Sequence, residues 1–235
     1  MEQSTKDFED AYALQALPVG LPIIARLDGR GFSKLTANMH KPFDCLFSNA
    51  MKETAKFLLI ETQAELAYTQ SDEITLVLPP EYDNFSRRIQ KLCSVFAGLA
   101  SAKFNFSLLR KDVPGNLAVF DCRVFTVPSQ VEVWENLKDR RNDAIKNSVS
   151  MAAHAAFGHK QLLGRNTEQR KELLRNGAQP CWEAYDQHYR EGTLYGKEAV
   201  QEYLTKEEFE RIPKEYWPTE PVTRNVIIER EFYND

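Results

Sequence analysis

The chain has 235 residues, 43% of them hydrophobic with 14 Phe and 9 Tyr, enough to bury a substantial interior as one large or two small domains. Thirty Lys and Arg against 34 Asp and Glu leave a formal charge of −4, which argues against a generally basic nucleic-acid binder. No apolar stretch approaches the roughly 18 residues that span a bilayer, so no membrane partner is expected. The start of the chain lacks the basic and apolar blocks of a signal peptide.

Residues 21–27 read as a buried strand that stops at the turn dipeptide Asp28-Gly29. Asp44 precedes a helical run over 45–60 with Leu46, Ala50, Ala55 and Leu58 on one apolar side. Runs over 64–70 and 74–78 flank Ser71-Asp72-Glu73 as a β-hairpin, and Pro79-Pro80 ends its second strand. A helix over 84–103 and a strand over 117–127, closed by Pro128, follow. Strand, helix, strand, strand, helix, strand is the order of an α+β, ferredoxin-like fold, an antiparallel sheet with helices on one face.

Beyond Pro128 the pattern is mainly helical: one long helix or two joined ones over 131–157 and a shorter helix over 167–174. Short strands are expected near 192–195 and 222–232. A loose boundary near 128–129 divides the chain into regions 1–128 and 129–235, expected to pack together. Cys45, Cys93, Cys122 and Cys181 form no CxxC pair and read as reduced thiols of a cytoplasmic protein.

Averaged charge hides an asymmetry. Residues 138–175 carry nine basic and four acidic side chains, net +5, between acidic flanks. Lys138, Arg140, Arg141, Lys146, Lys160 and Arg165 are therefore candidates to dock an anionic polymer such as RNA. A solvated amphipathic helix pair accounts for the same run.

Three segments could carry chemistry. Asp28-Gly29 at a strand end exposes a carboxylate and an unshielded carbonyl, which suit a hard cation, although Asp-Gly is also an ordinary turn. In the split βαβ order the hairpin turn lies beside that strand end, bringing Asp72 to Asp28, and two such carboxylates can hold a divalent pair for phosphoryl transfer. Glu73, adjacent to Asp72, faces the other way on a regular strand and is left as a supporting residue. Arg87, Arg88 and Lys91 would form a positive ridge on the next helix, suited to a triphosphate or simply to solvent.

Taken in order, Arg26-Leu-Asp28-Gly29-Arg30-x-Phe32, Lys41-Pro42-x-Asp44, Tyr68-x-Gln70-Ser71-Asp72-Glu73, Phe85-x-Arg87-Arg88-x-x-Lys91 and Phe120-Asp121-Cys122-Arg123-Val124 resemble the tRNA-histidine guanylyltransferase family. Tyr189-Arg190-x-Gly192-Thr193 is similar to that family's C-terminal half. The resemblance implies a polymerase-type palm that adds nucleotides in the 3′-to-5′ direction to the 5′ end of tRNA. It implies two Mg²⁺ ions on Asp28, the Gly29 carbonyl and Asp72, with ATP, GTP or other nucleoside triphosphates as substrates. Arg26, Lys41, Ser71, Arg87, Arg88, Lys91, Asn147 and Arg170 would contact nucleotide, and the assembly would be a homotetramer, a dimer of dimers.

One departure from the family matters. Its tRNA-histidine enzymes carry a His-Ile-Asn-Asn-Leu-Tyr-Asn run, where this chain reads Ala144-Ile145-Lys146-Asn147-Ser148-Val149-Ser150. Loss of the histidine points to the branch that the resemblance links to repair of 5′-truncated tRNAs. The rival expectations are a tRNA-histidine-specific guanylyltransferase, a palm nucleotidyltransferase or cyclase with another substrate, and a catalytically idle RNA-binding module.

Overall fold

Strand β1 (Ile23–Gly29) is built from an apolar run whose odd-numbered members, Ile23, Ala25 and Leu27, enter the main core. The computed structural model describes residues 4–109, 117–177 and 180–232. Before β1, helix α1 (Thr5–Ala13) is closed by a Ser4–Asp7 capping box and buries no residue. After it come the short α2 (Phe32–Leu35) and the long α3 (Cys45–Glu61). The Asp44 carboxylate caps α3 by accepting from the Phe47 N–H at 2.9 Å. Strands β2 (Leu66–Gln70) and β3 (Glu73–Leu78) form the expected hairpin.

Helix α4 (Ile89–Leu109) starts later than the sequence suggests. Phe85, Ser86 and Arg87 take left-handed φ values of 56°, 51° and 54°, so a left-handed turn replaces the expected first helical turn. Such residues cost about 1–2 kcal/mol each. Arg87 offsets that cost: only 2% exposed, it donates to the carbonyls of Pro80 and Tyr82 at 2.9 Å and of Leu21 at 2.7 Å. Charge-assisted bonds of this kind contribute about 1.5–3 kcal/mol each, so the clamp wins.

A second correction concerns the same helix. α4 is long and apolar enough to cross a membrane by length and composition, contrary to the expectation that no segment comes close. In the fold it is a core helix: Leu92, Phe96, Ala100, Phe104 and Leu108, four apart, bury one face against the sheet.

Strand β4 (Phe120–Thr126) completes the split βαβ unit, and α5 (Gln130–Ala156) runs as one continuous helix. Then follow α6 (His159–Leu162), α7 (Thr167–Gly177), α8 (Gln187–Glu191), β5 (Thr193–Glu202), α9 (Lys206–Glu210) and β6 (Val222–Arg230). The six strands form one antiparallel sheet in the order β4-β1-β3-β2-β5-β6. It therefore continues past Pro128, with β5 paired to β2 through Leu194, Tyr195 and Gly196.

Helices α3 and α4 cover one face over the main core. On the other face Val133, Leu137 and Ala144 of α5 pack on Tyr68, Val77 and Leu194. Farther along α5, Val149, Ala152 and Ala153 join Leu162, Leu174 and Trp182 in a smaller core. The C-terminal region is thus anchored twice, by a strand and by a helix, and it roofs the hairpin end of the sheet.

Candidate active site

Gly29 and Asp72 meet where β1 ends. The Gly29 N–H donates to the Asp72 carbonyl at 3.1 Å, tying the strand end to the hairpin turn. Ser71 turns the chain with φ 52° and donates from its hydroxyl to Asp72 Oδ1 at 3.2 Å. Burial, and then the charge of Asp28, push the Asp72 carboxyl above the usual range, opposed by the Asp72 backbone and the Ser71 hydroxyl. Gly29 also lets the Phe32 ring close in: an added Cβ would stand 2.5 Å from that ring.

The two carboxylates and the Gly29 carbonyl are hard oxygen donors, and the raised Asp72 carboxyl beside Asp28 suits a divalent cation. Among the described residues, no group of three or more His, Cys, Asp and Glu side chains is arranged to hold a metal.

Glu73 does not turn away from the site. In register it lies directly across from Asp28, which on its other side faces Asp121. Cross-strand partners share a sheet face, so all three acids line up on the α5 side. Arg140 of α5 reaches Glu73 Oε2 at 3.5 Å, and the Thr75 hydroxyl reaches Glu73 Oε1 at 3.4 Å. Burial raises the Glu73 carboxyl, while Arg140 and Arg26 pull it back down.

A cavity of about 350 Å³ opens beside the turn, lined by Lys41, Ser71 and Asp72 together with Phe32, His188 and Tyr189. That is a small-ligand volume. Lys41 Nζ donates to the Thr36 carbonyl at 2.8 Å, and Phe43 stacks on Tyr189 with centroids 5.0 Å apart and planes at 10°. His188 is 6% exposed, with Nδ1 2.8 Å from the Thr193 hydroxyl. Burial, then the charge of Lys52, pushes its pKa down to about 3, so the ring is neutral in ordinary buffers.

Lys41, Ser71 and Asp72 are thus brought together as expected. Arg26 is on the same sheet face as Asp28, two residues earlier. Asn147 is exposed on α5, one turn before the cavity-lining Met151.

Other expectations fail. Arg87 is no nucleotide ligand but the buried clamp described above. Arg88 and Lys91 sit at the opposite end of the sheet, where Leu17 N–H bonds the Arg87 carbonyl and β1 begins. Five strand residues, roughly 17 Å, separate that end from Asp28, so within one chain these cations do not share the cavity.

The basic run is largely spent inside the chain. Arg140 pairs with Glu73 and Asp143, Arg141 with Glu191 at 2.6 Å, and Lys146 with Asp143 at 3.2 Å. Arg170 donates to the Ser150 hydroxyl at 2.8 Å and is not turned to the cavity. Lys138 is half-buried, and Lys160 and Arg165 are exposed. Arg140 and Arg141 are corrected from spare RNA-facing cations to internal pairs, because helix packing turns them toward the sheet and α8. Sequence reasoning missed His188: its burial and the approach of Lys52 arise only through tertiary packing, and the adjacent Tyr189-Arg190 motif was the sole signal.

A family model described as tRNAHis guanylyltransferase matches residues 2–128. An uncharacterized protein of Acanthamoeba polyphaga mimivirus is 28% identical over 227 residues, covering 83% of this chain and 76% of its own length. The tRNA(His) guanylyltransferase of Schizosaccharomyces pombe is 32% identical over 132 residues, 54% of this chain and 51% of that enzyme. Among solved structures, a bacterial tRNA(His) guanylyltransferase-like protein in complex with ATP superposes with a TM-score of 0.75 at 37% identity, covering 82% of this chain and 85% of that one. Such a bacterial protein in complex with GTP gives 0.68 at 34% identity, covering 82% and 83%.

Proposed function

Because the chain belongs to the tRNAHis guanylyltransferase family, a family of nucleotidyltransferases, we propose that it adds nucleotides to the 5′ end of tRNA and repairs 5′-truncated tRNAs. The observation that carries this is the bond from the Gly29 N–H to the carbonyl of Asp72, a residue that feels the charge of Asp28 and lines a cavity together with Lys41 and Ser71. ATP or GTP bound in similar proteins supports a nucleoside triphosphate as its occupant.

Chemically, a 5′-monophosphate is first activated by nucleotidyl transfer from ATP or GTP, with release of pyrophosphate. The 3′-hydroxyl of an incoming nucleotide then attacks the activated phosphorus and expels the nucleoside monophosphate. Asp28, Asp72 and the Gly29 carbonyl would hold two Mg²⁺ ions, which when bound neutralise phosphate charge and favour the attacking hydroxyl. Lys41 places a positive charge, and Ser71 a hydroxyl, beside the triphosphate. Neutral His188 offers a ring nitrogen without adding charge. Positioning and charge neutralisation carry most phosphoryl-transfer catalysis, so no Ser, Cys or His nucleophile is required.

The repair branch is favoured by Ala144. Where the resembling enzymes have histidine, this residue is 3% exposed among Tyr68, Val77 and Leu137 and presents nothing to RNA. Incubation with a 5′-truncated tRNA, labelled nucleotides and Mg²⁺ tests the proposal. Extension complementary to the 3′ acceptor strand is expected. Guanosine added only to full-length tRNA-histidine would replace repair with the narrower activity, and no 5′ addition to either RNA would overturn the reading.

A further inference from the structure

Three acids, Asp28, Glu73 and Asp121, lie in cross-strand register on one sheet face, and among the described residues Glu73 is the one met by a salt-bridging cation from another element. Arg140 is held from two sides. One terminal nitrogen is 2.7 Å from Asp143 Oδ2 on its own helix, and the other is 3.5 Å from Glu73 Oε2. Its Nε is buried without a hydrogen-bond partner, and the side chain is 21% exposed. This is the posture of a guanidinium locked between two carboxylates, not of a surface cation awaiting phosphate.

We infer that Arg140 is a positioning residue that keeps Glu73 out of the cation site, so that Asp28 and Asp72 alone supply its carboxylates. The inference rests on the metal reading proposed above and goes beyond it by giving α5 a part in setting the site's charge. Like charges paired across strands repel, and a freed Glu73 opposite Asp28 relieves that repulsion by joining the cation. Each added carboxylate tightens a hard-cation site, here at the cost of a coordination position that a substrate oxygen needs. The same helix carries the cavity-lining Met151, so docking of α5 would set the carboxylate set and the cavity wall together.

The test is Mn²⁺ titration of the full chain, followed by the electron paramagnetic resonance of free Mn²⁺, without nucleotide or RNA. Arg140→Gln and Arg140→Ala should tighten Mn²⁺ binding by about tenfold, and Arg140→Lys should stay close to the parent. Glu73→Gln alone should change affinity by less than about twofold. Glu73→Gln combined with Arg140→Gln should cancel the gain, since Arg140 acts through Glu73. A gain that persists in the double variant would reduce Arg140 to a general field effect and overturn the inference. So would a tenfold loss in Glu73→Gln alone, which would make Glu73 a resident ligand, or unchanged binding in both Arg140 variants. If the parent chain binds no Mn²⁺, the metal reading itself fails and this inference with it. Binding that is present in the parent but unchanged in both Arg140 variants removes the Arg140 role alone.

Discussion

The backbone N–H of Gly29 and the carbonyl of Asp72 are bonded at 3.1 Å, so the two carboxylates proposed to share a cation are set by the sheet and not by a flexible loop. Replacing either acid should therefore remove chemistry without removing structure. Asp28→Asn and Asp72→Asn are expected to cut nucleotide addition at least about a hundredfold while retaining the circular dichroism of the parent. Full activity in both variants would end the two-carboxylate model.

Asp72 also yields a stability prediction. Its carboxyl is raised by burial and by Asp28. The stability linked to a raised carboxyl is present below the unfolded-state value and is lost as pH rises through the folded-state value. At neutral pH that contribution is diminished, and Asp72 is thus a burden on the metal-free fold. Asp72→Asn should raise the metal-free Tm by roughly 2–4 °C, and added Mg²⁺ should stabilise the parent but not the variant. Equal Mg²⁺ responses in the two proteins would contradict the assignment.

Arg87 supports a different expectation. Three buried carbonyl contacts and a left-handed turn depend on one guanidinium. Arg87→Met should cost about 3–5 kcal/mol in urea unfolding. Arg87→Lys should recover little, because an ammonium cannot span the same carbonyls as a planar fork. A loss under 1 kcal/mol would show the clamp to be incidental.

For His188 the sign runs the other way. Its pKa is depressed to about 3 by burial and by Lys52. The stability it contributes is present above the unfolded-state value near 6.5 and falls as pH drops from there toward 3. One proton corresponds to about 1.4 kcal/mol per pH unit over that window. His188→Gln should flatten the acid limb of the stability curve, measured by urea unfolding between pH 7 and pH 4. A His188 ring signal titrating near pH 6.5 in the folded protein would refute the burial argument.

Gly29 combines packing with chemistry. Gly29→Ala would force a methyl against the Phe32 ring, which packs with Phe47, Phe104 and Phe120. A loss of about 1–3 kcal/mol is expected, with nucleotide addition lowered because the displaced ring underlies the cavity. Restoration by Gly29→Ala combined with Phe32→Leu, which makes room, would identify the clash as the cause.

Much of this was legible in the order of residues. The strand–helix hairpin sequence, the Asp28-Gly29 stop, the Ser71-Asp72 turn and the Lys41-Pro42 segment fix local structure through short-range physics: apolar period, turn residues and caps. The split βαβ order then brings Asp28 and Asp72 to one end of the sheet with few alternatives. What the residue order could not decide were the identities of partners across long loops. Arg87 reads as a surface cation until the turn before α4 goes left-handed and points it at Leu21, Pro80 and Tyr82. Arg140 reads as an RNA contact until α5 docks on the sheet and delivers it to Glu73. Arg88 and Lys91 read as nucleotide contacts until the direction of α4 carries them to the far end of the sheet from the acids. Charge and spacing along the chain establish which groups are available. Only packing, which sets direction and burial for each side chain, determines which of them meet.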